Sequence, residues 1–381
     1  MTSRFALAKD RLVGDIENVV ADLLGQNARP RRRRRGAWNV VNPHRAGAKA
    51  AQMIVWLSGA RRGGWKDFVC GEKGDAIDLV AYALEGIVTA DSRMRAVEWA
   101  EDRYGLKKLS PATRAQMEKQ LAESRAKVEA EDARRRQSSR DRARKMFYAA
   151  SPQLLGTPVE TYLAGRGCPL ADVPNLSLAF RYQAQAEYWL RSARDGEGRK
   201  ISAGPRFPAL TSAMVSGDGR LHACHLTFLE ADGRAKLDTR ARGWLDGDGK
   251  PLSPKLMWPA VSGFVVRCTN GPSGLAAEQA ATAGVAGIVG VTEGIEDALS
   301  AAIAYPSLRM WAAGSLSGLL YLPDHACASA WLIFRDNDWG KPQAKALFDR
   351  AVARIRRFGK PVEVIAMPAD WGKDVNDALN A

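Results

Sequence analysis

The chain is poor in the side chains that build disulfide frameworks and soft-metal sites. Its 381 residues include only four histidines and five cysteines. Cys70, Cys168, Cys224, Cys268 and Cys327 are scattered and odd in number. No paired framework can be drawn from them, and a reducing cytoplasm is the expected compartment. No apolar run reaches the roughly 18–20 residues that span a bilayer. The first residues, Met1-Thr2-Ser3-Arg4-Phe5, lack an apolar secretory core. There is no Gly-x-x-x-x-Gly-Lys-Ser/Thr phosphate loop, so no fused helicase motor is expected. A Gly-x-Ser-x-Gly nucleophile elbow is absent too. Acidic residues are in deficit: 42 Asp and Glu against 56 Lys and Arg give a net charge of +14. That excess favours a polyanionic partner, nucleic acid before an acidic membrane surface. Nucleic acid is the expected partner, and no membrane. With 46% hydrophobic residues the chain is long enough for two or three domains with real cores.

The acids that are present fall in an informative pattern. Glu293 follows the apolar run Gly287-Ile288-Val289-Gly290-Val291-Thr292. Asp336 and Asp338 follow Trp331-Leu332-Ile333-Phe334-Arg335, and Asp374 and Asp377 follow Pro361–Met367 and a short loop. Helix-like stretches, 295–304 and 342–358, lie between the runs. Strand and helix alternating in this way predict a parallel sheet. Ligands bind such sheets outside the carboxyl ends of the strands, so all five acids are predicted at one edge. Acids gathered there repel one another unless a cation lies among them. A hard divalent cation that prefers oxygen, Mg²⁺ or Mn²⁺, is the expected cofactor.

At these residues the sequence resembles a known family. Glu293-Gly294-Ile295-Glu296-Asp297-Ala298-Leu299-Ser300 is similar to the first motif of TOPRIM domains, and Asp336-Asn337-Asp338 to their Asp-x-Asp motif. Gly372-Lys373-Asp374-Val375-Asn376-Asp377-Ala378-Leu379 resembles the closing segment of phage and plasmid TOPRIM primases. Upstream, Glu160-Thr161-Tyr162-Leu163-Ala164-Gly165-Arg166-Gly167 resembles the lead-in of primase catalytic regions. Arg206-Phe207-Pro208-Ala209-Leu210 resembles the start of the small mixed subdomain that precedes TOPRIM in primases. One departure is visible: Gly340 follows Asp338 by two residues where the family usually has three.

The front of the chain reads as follows. Residues 1–28 are predicted helical, with Leu7, Leu12, Ile16, Val19, Val20, Leu23 and Leu24 near helical spacing. Arg31, Arg32, Arg33, Arg34 and Arg35 follow, either as a solvated linker or as a phosphate-contacting arm. Short strands are predicted at 38–41, 52–57 and 65–69, and Gly71–Val80 opens a helix. This segment resembles the zinc-binding domain at the front of primases. Its ligands are largely missing, with only His44 and Cys70 near the expected places. A closed site needs four ligands, so a degenerate ribbon without zinc is expected. The domains expected are 1–35, helix and basic segment; 36–106, ribbon-like; 107–145, charged helical linker; 146–283, mixed α+β subdomain; and 284–381, a TOPRIM domain. The fold class is α/β, with a Rossmann-like parallel sheet at the C-terminus.

Each candidate residue has a plainer reading beside the chemical one. Glu293 is either a metal ligand or general base for a primer 3′-hydroxyl, or a cap on the following helix. With Asp-x-Asp downstream the chemical reading prevails. Asp336 and Asp338 alternate on extended backbone and face the same way, as ligands of one metal or of two. Asp374 is the candidate third acid on the metal, with Asp377 supporting it or starting a helix. Asp297 is read as standing behind the ligands. The resemblance also implies that Lys236, Lys255 and Arg206 offer positive charge to nucleoside triphosphates or nucleic acid; a solvated surface position is the plainer reading of each. Lys373 is read as reaching a phosphate or as an ordinary surface lysine. His222, Cys224 and His225 cluster in sequence but are read as structural. The function implied is that of a primase. It would make short RNA primers on single-stranded DNA from nucleoside triphosphates with Mg²⁺, with a replicative helicase as an implied partner. A TOPRIM nuclease and a non-catalytic single-stranded DNA-binding replication factor are the alternatives.

Overall fold

A computed structural model describes residues 2–24, 33–34, 36–44, 53–67, 71–190, 201–246, 249–259, 262–337, 342–366, 372 and 374–379. The chain divides into two compact units, Met1–Ala133 and Arg134–Ala381.

In the first unit, helices α1 (Thr2–Gly14) and α2 (Ile16–Leu24) precede five short strands. These are β1 (Arg33–Arg34), β2 (Ala37–Val40), β3 (Met53–Trp56), β4 (Trp65–Asp67) and β5 (Lys73–Gly74). They pair antiparallel in chain order. Helices α3 (Ala76–Glu85) and α4 (Ala90–Arg103) follow, and α5 (Pro111–Ala149) runs on through the boundary between the units. The single helix expected at the N-terminus is two. The break comes at Asp15, whose carboxylate accepts bonds from Asn18 Nδ2 and, at 2.9 Å, from the Tyr104 hydroxyl. Leu12, Ile16, Val19 and Val20 then join Met53, Val55, Trp65, Ile77 and Val80 in one core. Asp75 caps α3 by accepting from the backbone N–H of Ile77 and Asp78, and Asp78 returns a bond to the Asp75 N–H. A capping box of this kind gives the helix a sharp start.

The positions compared with ribbon ligands hold a hydrogen-bonded knot. Asn42 Nδ2 donates to Asp67 Oδ2 at 2.8 Å and to the Tyr82 hydroxyl oxygen at 2.9 Å. Asn42 Oδ1 accepts from the His44 N–H, and His44 Nε2 lies 3.0 Å from the Ala83 carbonyl oxygen. Cys70 lies outside the described residues, as do Arg31, Arg32 and Arg35. Arg33 and Arg34 are described only as the backbone of β1.

The second unit carries two sheets. Helix α6 (Pro158–Gly165) leads into β6 (Phe180–Glu187), β7 (Arg206–Val215), β8 (Leu221–Phe228) and β9 (Lys255–Trp258), an antiparallel meander. The second sheet contains β10 (Val266–Arg267), β11 (Gly287–Thr292), β12 (Arg309–Ala312), β13 (Ala328–Arg335) and β14 (Val362–Ala366). Its helices are α7 (Ala277–Thr282), α8 (Ile295–Ala304), α9 (Leu316–Leu319), α10 (Pro342–Arg356) and α11 (Val375–Leu379). The order is β10-β12-β11-β13-β14; the last four strands are parallel and β10 is antiparallel to β12. The α/β class and parallel C-terminal sheet match the sequence reading. β12 was not anticipated: it is four residues long and fully buried, and its first residue is an arginine.

Alternation along the strands covers both faces of this sheet. Val289, Val291, Trp331 and Ile333 meet Phe348, Ala351, Val352 and Ile355 of α10. Met310, Ala312 and Phe334 meet Ile295, Ala298, Leu299 and Ala302 of α8. A Cβ on Gly290 would lie 2.4 Å from Met310 Sδ, so this layer closes only over glycine. The same α8 core includes Val159, Tyr162 and Leu163 of α6 and Leu210 and Met214 of β7. Helix α8 therefore bridges the two sheets.

The Asn42 knot is buried, and truncating it removes one hydrogen bond from Asp67 and one from Tyr82. Asn42→Ala should destabilise the first unit by about 1–3 kcal/mol, read by urea unfolding and by faster amide exchange in β2 and α3. Purified protein is expected to hold no stoichiometric zinc. One zinc per chain by elemental analysis would overturn that expectation.

Candidate functional site

The site follows from the strand order. The chain leaves β11 through α8 to β12 on one side, then returns to β13 on the other side of β11. The crevice beyond the carboxyl ends of β11 and β13 is thus the topological switch point, where such sheets take ligands. Glu293 stands one residue past β11 and Asp336 one past β13. They line one cleft with Leu316, Arg335, Ala344, Lys345 and Phe348. The turn between β11 and α8 is held by the Thr292 hydroxyl, which donates to the Gly294 carbonyl at 2.7 Å. A Cβ on Gly294 would lie 2.2 Å from Asp297 Oδ2, so glycine there lets the loop pass close over that acid.

Asp297 and Asp374 complete the acidic group. Asp297 is 6% exposed. Burial, with the charges of Asp374 and Asp336, pushes its carboxyl up to about 7. Its Oδ1 accepts from the Asn376 backbone N–H at 3.0 Å. Asp374 Oδ1 accepts from the Asp377 N–H and so caps α11, while Asp377 lies 3.6 Å from Arg166. Asn376 is the pin between α11 and α8. Its Nδ2 donates to the Arg166 carbonyl at 2.6 Å and to Ser300 Oγ at 2.7 Å. Asn337 Nδ2 donates to the Gly372 carbonyl at 2.7 Å, tying the loop after β13 to the start of this segment. Asp338 and Lys373 lie outside the described residues. Among those described, no three acids converge closely enough to cage an ion.

Beside this edge lies a buried charge cluster. Glu296, 5% exposed, accepts from the Tyr162 hydroxyl at 2.6 Å and from Lys255 Nζ at 3.3 Å, and pairs with Lys236 Nζ at 2.9 Å. Burial alone would raise its carboxyl. The charges of Lys255 and Lys236 and the Tyr162 hydroxyl outweigh burial and hold it well below the usual carboxylate range. Burial brings the Lys236 ammonium down, offset by Glu296. His225 on β8 is fully buried; burial, then the Lys255 charge, holds it neutral with a value of about 4.

The structure thus brings Glu293, Asp336, Asp374 and Asp297 to one sheet edge and gathers Lys236 and Lys255 on Glu296. Arg206 is exposed at the start of β7 and donates to the Gln185 carbonyl at 3.4 Å. His222 stacks on Phe264, and Cys224 Sγ donates to the Ala143 carbonyl. The sequence reading did not name Tyr162 or Asn376 as site residues, and missed what Glu296 does; His225, read as structural, is buried. One signal was available: Glu296 lies in a helix whose neighbours Ile295, Ala298 and Leu299 are apolar, and a buried acid must find cations.

Asp297 yields a stability test. A carboxyl raised in the folded state keeps its proton where the unfolded chain has lost it. Its contribution is full below the unfolded value of 3.8 and is lost as pH rises through about 7. In EDTA, Asp297→Asn should gain melting temperature relative to wild type between about pH 5 and about pH 8. Mg²⁺ should narrow the gap at the higher pH. A pH-independent difference would remove the repulsion argument.

Residues 288–381 match the family model of the Toprim domain, and residues 137–268 match a domain of unknown function, DUF7146. No curated protein matches the chain. Among solved structures the chain is similar to a DNA primase domain from Pseudomonas aeruginosa, at 15% identity and a TM-score of 0.40, covering 63% of this chain and 74% of that one. It is similar to a DnaG primase catalytic domain bound to single-stranded DNA, at 14% identity and a TM-score of 0.40, covering 65% and 78%. It is also similar to the RNA polymerase domain of Mycobacterium tuberculosis primase DnaG in complex with a DNA oligomer, at 13% identity and a TM-score of 0.33, covering 62% and 77%. The sheet edge that gathers Glu293, Asp336 and Asp374 belongs to a Toprim domain, which occupies residues 288–381.

Proposed function

We propose that the chain is a DNA primase, joining nucleoside triphosphates into short RNA primers on single-stranded DNA in the replication of a phage, plasmid or other mobile element. The observation that carries this reading is the set of acids at the switch point of a Toprim sheet, with a lysine-bearing antiparallel sheet packed beside it. The donor set fits a hard divalent cation. Every candidate ligand is a carboxylate oxygen, and the upward push on Asp297 from Asp374 and Asp336 marks an excess of negative charge that a cation relieves. Glu293, Asp336 and Asp374, with Asp338, are the residues that would hold Mg²⁺ or Mn²⁺. Once bound, the ion lowers the pKa of the attacking hydroxyl and offsets charge on the leaving pyrophosphate.

The chain's own groups have distinct tasks in this reading. Glu293 lies beside Asp336 in the cleft and either ligates the ion or takes the proton of the primer 3′-hydroxyl. Lys236 and Lys255 are held on Glu296 and are assigned to the triphosphate. Lys373 is a further candidate for phosphate contact. Arg206 and Arg31 to Arg35 are assigned to the nucleic-acid backbone. The single-stranded template and the triphosphates are the partners of the reaction, and a replicative helicase is the protein partner proposed.

Incubation with single-stranded DNA, labelled triphosphates and Mg²⁺ or Mn²⁺ tests the reading. Short labelled polymers are the expected product. A shortened template would replace primase with nuclease, and intact template without polymer would leave a binding factor. Asp336→Ala should abolish synthesis while leaving DNA binding near wild type; wild-type rates at saturating triphosphate would sink its assignment. Glu293→Gln should lower turnover by about 10²-fold or more. Full activity with a lowered melting temperature would make Glu293 a helix cap instead.

A further inference from the structure

The part of α5 in the second unit is arginine-rich. Residues 134–149 hold Arg134, Arg135, Arg136, Arg140, Arg142, Arg144 and Lys145 against a single acid, Asp141. Arg136, Arg140 and Arg144 recur every fourth residue and so share one face of the helix. Ala143 and Phe147, further along and close to the same face, are buried and seat the end of the helix against the antiparallel sheet, which sets the arginines beside that sheet. Arg135, Arg136, Ser139 and Arg140 form one wall of a groove, and Pro259, Ser262 and Phe264 form the other. The Phe264 ring is stacked on His222, with centroids 4.9 Å apart and planes at 20°. Burial, then Arg140, Arg220 and Arg144, lowers the imidazole of His222 against the pull of Asp218, which places these cations around the ring. Asp218 itself is engaged by Arg220 at 3.4 Å.

Among the described residues, Arg136, Arg140 and Arg144 have no carboxylate within salt-bridge distance. Like charges stacked along one helix face repel one another, and a polyanion is the partner that relieves such repulsion. The ring at the groove decides between polyanions. A single strand offers phosphates to arginines and open base faces to aromatic rings. A duplex keeps its base faces stacked and can use only the arginines.

We propose that this groove, with Arg136 and Arg140 on one wall, Phe264 on the other and Arg144 one turn further along the helix, binds single-stranded nucleic acid. Trp258, which carries Arg142 over its ring at 5.3 Å, closes the same end of β9. Lys255 lies three residues earlier on that strand, roughly 10 Å away. The groove therefore runs beside the strand that carries Lys255 to the Glu296 cluster. This surface is separate from the acidic edge, and its occupancy does not depend on whether that edge joins nucleotides.

The test is fluorescence anisotropy of a short labelled oligothymidine with the full chain in EDTA, where no metal-dependent chemistry runs. Replacing Arg136, Arg140 and Arg144 together with Gln, a good helix former, should raise the dissociation constant about tenfold or more. It should also lower the slope of log K against log salt by about 2, since each phosphate neutralised on a single strand contributes about 0.7. Phe264→Leu should weaken binding about fivefold with the slope unchanged, as loss of one base stack requires. Wild-type affinity and slope in the triple variant would overturn the proposal, as would an equal-length duplex bound as tightly as the single strand. A readout on the wild-type protein guards against misfolding of the variant. Oligothymidine should protect Arg136 and Arg140 from an arginine-modifying dicarbonyl, scored by peptide mass spectrometry, and unprotected arginines would equally overturn the assignment.

Discussion

Glu296 is a carboxylate taken out of water, and removing such a charge from solvent costs several kcal/mol unless partners replace the water. Here Lys236, Lys255 and the Tyr162 hydroxyl do so. Each comes from a different part of the second unit: Lys236 from the stretch after β8, Lys255 from β9, Tyr162 from α6. The pairing is satisfied only when α8 sits at one height against the antiparallel sheet. Because Glu293 lies three residues before Glu296 and Asp297 one after, the cluster also fixes the acids of the sheet edge.

At that edge the electrostatics run the other way. Glu293, Asp336, Asp374 and Asp297 are brought together there, and Asp297, buried and beside the charges of Asp374 and Asp336, is a carboxyl that resists ionisation. The backbone N–H of Asn376 and the side-chain bonds of Asn376 and Asn337 hold the arrangement in place. A site that stores repulsion in this way gains most from a divalent cation. Lys236 and Lys255 gather instead on Glu296, and a further set of arginines lies along α5 in the same unit.

The first unit solves a different problem. A small domain commonly needs a metal or disulfides when its core is thin. This one has helices α1 to α4 over its sheet, and Leu12, Ile16, Val19 and Val20 help complete the core. Within it Asn42 donates to Asp67 and to the Tyr82 hydroxyl oxygen, a buried polar knot beside that core.

Strong local periodicity made much of the fold legible in the sequence. The apolar runs at 287–292 and 331–335 and the stretch at 361–367 are strands β11, β13 and β14, and the helical spacings at 295–304 and 342–358 are α8 and α10. The acids that follow the first two runs, Glu293 and Asp336, line one cleft, because adjacent parallel strands end at the same edge of the sheet. What the sequence left open depends on contacts between distant residues. The short strand β12, and with it the switch point, rests on burial rather than on pattern. The union of Glu296 with Lys236, Lys255 and Tyr162 joins residues far apart in the chain, and the groove between α5 and Phe264 joins a helix to a loop more than a hundred residues away. Local sequence sets propensity and amphipathic phase; which charge meets which, and which surfaces face each other, is decided only when the chain packs and desolvation makes unpaired choices too costly.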